Sequence, residues 1–345
     1  AGIIREEAEM TRIAQLHALG QSLWFDNIQR RLLENGVLAK MIQDGDIRGV
    51  TSNPSIFNNA IAKTNDYDAA LKPMAWAGWS AEEIFWQLAV EDIQAAADLF
   101  KPLYDSTHGG DGYVSLEVNP YLANDTEKTV SEARRLWMLV DRPNLMVKIP
   151  ATQAGIPAIQ QAIAAGINVN VTLIFSLHRY EAVMDAYLRG LEERVEKGLP
   201  IDSIASVASF FVSRIDTKID AQLEKMAQAG GQNAALAASL RGKAAIASAR
   251  LAYARYEVVF STKRFEALKA KGGRTQRPLW ASTSTKNPNY RDVIYVETLI
   301  APDSVNTVPP QTLDAFRDHG EAAITIHEDL IGMEKALADL ESLGI

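Results

Sequence analysis

Short, nearly continuous apolar runs alternate along this chain with longer stretches of helical periodicity. The runs are Ser22–Asp26, Ile47–Thr51, Tyr113–Val118, Leu145–Ile149, Val169–Phe175, Ser206–Val212, Pro278–Ser282 and Ser304–Val308. Strict in–out alternation would mark strands with one wet face; continuous apolar character marks parallel strands covered by helices. Eight strand candidates separated by helices predict a (β/α)8 TIM barrel with additional N- and C-terminal helices, and no linker or low-complexity stretch divides it, so one domain over 1–345 is expected.

Local signals place several helix starts. Ser80-Ala81-Glu82-Glu83 and Asn124-Asp125-Thr126-Glu127 both read as capping boxes ahead of apolar helical stretches. Asn53-Pro54 puts proline at a first helical position and keeps Asn53 out of the right-handed region. The Ala-, Leu- and Arg-rich stretch Ala234–Val259 predicts one long helix, and Trp76, Trp79 and Trp86 in a helical region are expected to pack. The Gly-rich pieces 108–112 and 271–274 read as loops leading into strands.

Composition narrows the function more by exclusion. Over 345 residues, 35 basic against 43 acidic side chains leave a net charge of −8, which disfavours nucleic acid as a partner. The basic group Lys263, Arg264, Lys269, Lys271, Arg274 and Arg277 reads as a helix end and its solvated loop. The absence of cysteine excludes disulfides, thiolate metal sites and a cysteine nucleophile. The five histidines show no paired ligand spacing, so no metal is expected, and no phosphate-loop or dinucleotide fingerprint occurs. No early basic flank precedes a long apolar run and no run reaches membrane length, so a soluble cytoplasmic protein without membrane contact is expected.

A barrel of this kind carries its site at the C-terminal ends of the strands, so the polar residues that interrupt or close the apolar runs are the candidates. They are Asp26, Asn53, Glu117, Lys148, Asn170, Thr172, Ser209, Arg214 and Ser282. Lys148 stands out, being the one charge within 145–150. A lysine facing a barrel interior loses hydration, which favours the neutral amine and so attack on a carbonyl to give a Schiff base. A strand-edge lysine in water, or one paired with a carboxylate, fits the same pattern. Glu117 and Asp26 in the same mouth would relay protons, or simply neutralise Lys148 and nearby arginines. Arg214 and Lys286, with Ser282 and Ser284 between them, suit a phosphate; ordinary surface charge is the plainer reading.

Taken together, four segments resemble the transaldolase family: Thr51-Ser52-Asn53-Pro54-Ser55, Ser115-Leu116-Glu117-Val118, the run 146–152 around Lys148, and the run 166–175 around Asn170 and Thr172. The resemblance extends from about Leu16 to Phe316, and the Trp24-Phe25-Asp26 opening is similar to the longer bacterial branch. It implies a Schiff-base enzyme without metal or organic cofactor, moving a dihydroxyacetone unit between sugar phosphates of the non-oxidative pentose phosphate pathway. Carried over by motif, Lys148 would be the nucleophile and Asp26 the base for carbon–carbon cleavage. Glu117 with Thr172 and a water would shuttle protons. Asn53, Asn170 and Ser209 would hold the hydroxyls of the three-carbon fragment, Thr51 counts among the substrate-binding residues, and Arg214 and Ser282 would bind phosphate. Many members carry an arginine where Ser284 stands here, and Lys286 is expected to supply that charge. Phe211 stands where a related lyase, fructose 6-phosphate aldolase, has tyrosine, which favours transfer over release of dihydroxyacetone. A non-catalytic sugar-phosphate sensor is the alternative from another class. The terminal helices could cover the barrel bottom or form a subunit contact, which leaves room for a homo-oligomer.

Overall fold

Each of the apolar runs forms a strand in the computed structural model, which describes residues 9–345; residues 1–8 of the expected domain lie outside the described residues. The strands are β1 (Gln21–Asp26), β2 (Gly49–Thr51), β3 (Tyr113–Glu117), β4 (Leu145–Pro150), β5 (Val169–Ile174), β6 (Ser206–Phe211), β7 (Arg277–Ala281) and β8 (Ser304–Val308). Among the described residues they pair in parallel, in chain order, and β8 closes on β1 to complete the barrel. Helices follow the strands and cover their outer faces, where Val50, Leu116, Val147, Val171, Phe210 and Trp280 are buried. Extra helices stand at Arg12–Ala18, before β1, and at Leu330–Ser342.

The barrel is filled, not hollow. Trp24, Tyr113, Met146, Val207, Leu279 and Val305 form a cluster of their own inside it, lying below the polar strand ends. Trp24 needs a partner without a side chain: a Cβ on Gly49 would stand 2.6 Å from its indole ring. Its indole N–H donates to the buried carboxylate of Asp111 at 2.9 Å, which also accepts from Ser22.

Three local expectations are corrected. The stretch Ala234–Val259 is two helices, Ala234–Leu240 and Ala244–Val259, separated at Arg241-Gly242-Lys243. Gly242 has φ of +73°, a conformation that ends a helix whatever the propensity of its neighbours. The second cap is Asp125, not Asn124, with the Asp125 carboxylate accepting from Lys128 N–H. The Ser80 capping box and the Pro54 helix start, with Asn53 as its cap, form as read. Trp76 and Trp79 are exposed, leaving Trp86 as the partly buried member of that group.

His17 links the first helix to β1 by accepting the Leu23 N–H through Nε2 at 3.1 Å, a role open only to the neutral ring. Burial and the nearby Arg48 guanidinium push its pKa from 6.5 down to about 4, against the opposing pull of Asp111. The unfolded chain therefore takes up a proton first as pH falls. Stability from this residue is complete above pH 6.5 and is lost towards pH 4, by up to about 3 kcal/mol. Urea unfolding at the two ends of that window should show a smaller pH difference for His17→Gln than for the parent chain. Equal differences would mean that His17 does not set the acid response.

Candidate active site

Strand register builds the site. Glu117, Lys148 and Asn170 stand opposite one another on β3, β4 and β5 and so share one inward level, and Asp26 pairs in the same way with Thr51 across β1 and β2. Lys148 is 7% exposed. Its Nζ donates to the Ser52 carbonyl at 2.9 Å and lies 3.8 Å from Glu117 Oε2. Both readings of that lysine, a desolvated amine and a carboxylate-paired one, meet in this geometry.

Burial drives the Glu117 carboxyl above the ordinary carboxylate range; Lys148 pulls it back, Asp26 pushes it further up and Arg214 opposes. Asp26 and Arg214 thus act on the same carboxyl, which ties the two sides of the mouth into one electrostatic unit. A carboxyl that holds a proton more readily than usual, beside an amine, is suited to give and take protons as that amine changes state.

The remaining polar groups are oriented in short chains. Thr51 is buried and spends its hydroxyl hydrogen on Asp26 Oδ1 at 2.8 Å; Thr307, 2.6 Å away, is then the donor to Thr51. Thr51, expected among the substrate-binding residues, thus also orients the Asp26 carboxylate. Asn170 donates to Ser115 Oγ at 3.1 Å and accepts from Ser209 Oγ at 2.7 Å, which fixes its amide plane. Asn53 caps its helix by accepting from Ile56 N–H through Oδ1, so its amide N–H2 is the end left for a ligand hydroxyl. Thr172 follows Asn170 on the inward side and is 2% exposed. Immediately after it Leu173 takes φ of +62° at a register shift between Val171 and Ile174, a locally strained backbone at the site's edge.

The opposite side of the mouth is cationic. The Arg214 guanidinium lies 4.9 Å from the centre of the Phe211 ring, which itself packs 5.2 Å from Phe175. Arg214 belongs to the first turn of the helix Ser213–Ala229, whose start has no side-chain cap. Ser213 N–H donates to the Ser282 carbonyl at 2.9 Å and the two hydroxyls are 2.8 Å apart, which brings Arg214 and Ser282 together across β6 and β7. Ser282 takes φ of +55° to make this turn. Lys286 Nζ, exposed, donates to Ser284 Oγ at 2.7 Å. Hydroxyls and cations brought to one side of the mouth suit an anion.

Four participants escaped the sequence reading. Ser52 acts through its main-chain carbonyl and leaves no side-chain signal. Ser115 lies two residues before Glu117 on an inward face, so strand periodicity alone would have found it. Thr307 and Ser213 sit where a polar residue interrupts or follows an apolar strand, the same signal used for Asn170. A cavity of about 420 Å³ opens beside the site, bounded by Ser52, Asn53, Phe57, Phe85, Trp86 and Glu117 among others.

Comparison with known proteins adds an independent line. The family described as Transaldolase/Fructose-6-phosphate aldolase matches residues 23–345. A transaldolase of Thermobifida fusca is 52% identical over 334 residues, covering 96% of this chain and 89% of that relative. A transaldolase of Mycolicibacterium smegmatis is 50% identical, covering 98% and 90%. One from Saccharopolyspora erythraea is 53% identical, covering 90% and 83%. A solved citrate lyase from Burkholderia xenovorans aligns at 13% identity over 71% of this chain and 79% of its own, with a TM-score of 0.28, too low to bear on the fold.

Proposed function

The chain belongs to the Transaldolase/Fructose-6-phosphate aldolase family, and on that premise we propose that Lys148 is the Schiff-base nucleophile of a dihydroxyacetone transfer between sugar phosphates. Relatives of this similarity make the protein an enzyme that transfers aldehyde or ketone residues. The observation that carries the residue assignment is the buried Lys148 amine, 2.9 Å from a carbonyl and 3.8 Å from a carboxyl whose proton affinity is raised.

The donor is a ketose phosphate, sedoheptulose 7-phosphate or fructose 6-phosphate. The Lys148 amine attacks its carbonyl carbon and a carbinolamine forms. Glu117, with Thr172 and a water, protonates the departing hydroxyl, and water leaves to give the iminium. Asp26 takes the proton of the hydroxyl beside the breaking carbon–carbon bond; the bond electrons pass to the iminium and the aldose phosphate departs. The three-carbon enamine stays on Lys148, its hydroxyls held by Asn53, Asn170 and Ser209. Glyceraldehyde 3-phosphate or erythrose 4-phosphate then accepts it by the reverse steps. Arg214, Ser282, Ser284 and Lys286 hold the phosphate of each sugar in turn.

Phe211 supports transfer over cleavage, since its ring carries no hydroxyl to donate a proton to the parked fragment. Incubation with fructose 6-phosphate and borohydride should leave a reduced three-carbon adduct on Lys148 by peptide mass spectrometry, with little free dihydroxyacetone released. Rapid release would identify a lyase. Bound ligand without an adduct would sink the catalytic reading and leave a sensor. Among the described residues no helix is long and apolar enough to cross a membrane. The cytoplasm, where free sugar phosphates are the substrates, is the setting this reading implies.

A further inference from the structure

Behind the anion end lies a group of buried polar contacts that the reaction does not use. Asp216 and Asp220 are successive-turn neighbours on the helix Ser213–Ala229, and both are buried. Asp220 accepts the Tyr290 hydroxyl at 2.7 Å through one oxygen and the Gly242 N–H at 2.9 Å through the other. Asp216 does the same with the Tyr295 hydroxyl at 2.6 Å and the Ala245 N–H at 2.8 Å. Each carboxylate therefore joins three elements: the helix that begins with Ser213 and Arg214, the break and start of the Ala244–Val259 helix, and the segment after β7 that carries Ser282, Ser284 and Lys286.

That segment is pinned at its start by the buried Thr283, whose hydroxyl donates to the Thr307 carbonyl at 2.9 Å. Between Ser284 and Tyr290 it is irregular, closed by Thr285 Oγ1 donating to the Arg291 carbonyl at 3.0 Å and by the turn Asn287–Tyr290. A cavity of about 220 Å³, bounded by Asp216, Asp220, Lys286 and Tyr290 among others, separates it from the helix. A tyrosine reaching across that space is a strut. The room for it comes from Gly242, where a Cβ would stand 2.9 Å from the Tyr290 ring. The helix break at Gly242 and the placement of Lys286 are thus one piece of construction.

We propose that Tyr290, braced by Asp220, is a positioning residue for the phosphate of the substrate, acting through Lys286. The proposal rests on the assignment of Lys286 to the phosphate site given above. An ammonium on a flexible stem contributes to binding in proportion to how well its backbone is held, because each freedom left in the segment must be surrendered when the sugar phosphate binds. Tyr290→Phe removes the strut's hydrogen bond and keeps the ring against Gly242.

The test is steady-state transfer with fructose 6-phosphate and with fructose as donors, for Tyr290→Phe, Lys286→Met and the pair combined. Expected for Tyr290→Phe is a KM for fructose 6-phosphate raised about five- to tenfold with kcat nearly unchanged, and unchanged kcat/KM for fructose. The double variant should be no worse than Lys286→Met alone, since both changes act on one contact. If Lys286→Met raises the KM while Tyr290→Phe leaves it alone, or if the two effects simply multiply, the strut is overturned and the phosphate assignment stands. If Lys286→Met leaves the KM unchanged, that assignment falls and the strut falls with it. An equal loss for both donors would mean that Tyr290 is merely structural and overturns the proposal too.

Discussion

Lys148→Met is expected to lower kcat/KM for transfer by at least about 10⁴-fold, some 5 kcal/mol of lost transition-state stabilisation. Methionine is unbranched and only one atom shorter but has no amine, so no iminium forms and the carbon–carbon bond has no electron sink. The substitution also removes the positive charge 3.8 Å from Glu117, which leaves burial unopposed by its nearest cation and should hold that carboxyl protonated to still higher pH. The fold should persist, because Lys148 donates one hydrogen bond and the carbonyl it leaves, that of Ser52, belongs to a segment also anchored by Ser52 Oγ to the Ser115 carbonyl. Activity assays and borohydride trapping on the same preparation decide the matter. Residual transfer within tenfold of the parent, or an adduct on another lysine, would refute the assignment.

Asp26→Asn should separate the two halves of the donor reaction. The amide preserves the shape of the carboxylate and can still accept from Thr51, so the strand end is not disturbed. What is lost is the base for the hydroxyl proton, with an expected fall of about 10²- to 10⁴-fold in kcat. Schiff-base formation does not need that base. Trapping with fructose 6-phosphate should therefore yield an adduct carrying the whole six-carbon sugar phosphate, where the parent chain yields the three-carbon fragment. A three-carbon adduct formed at the parent rate would remove Asp26 from the cleavage step. Failure to form any adduct would place Asp26 earlier, alongside Glu117.

The barrel was legible because its signal is redundant: continuous apolar runs of strand length recur between helices, and few folds satisfy that pattern. Lys148, Glu117 and Asn170 were legible for a related reason, since each interrupts an apolar strand and the register of a parallel barrel brings such interruptions to one level. What escaped was information that does not reside in side-chain type. The Ser52 carbonyl that receives the Lys148 amine is common to every residue. The break at Gly242 sits between two good helix-forming stretches, and one glycine there reads as a tolerated weakness until the Tyr290 ring is seen against it. The contact between Thr51 and Asp26 escaped because a hydroxyl and a carboxylate in separate sequence motifs do not show that the two meet. Trp76 and Trp79 show the converse, large apolar residues on a helical stretch that packing does not claim.

The filled interior beneath Lys148 has a kinetic meaning. With Trp24, Tyr113, Met146, Val207, Leu279 and Val305 packed below the Lys148 amine, the barrel is closed from beneath, and under the proposed reaction everything arrives and departs at the strand-end doorway. The first aldehyde must clear that doorway before the second can enter, so exchange follows a strict turn-taking order. Water reaches the stranded fragment through the same opening. The leak of free dihydroxyacetone is therefore a race between solvent and acceptor for one vacancy, and it should shrink as acceptor concentration rises and the vacancy is filled sooner.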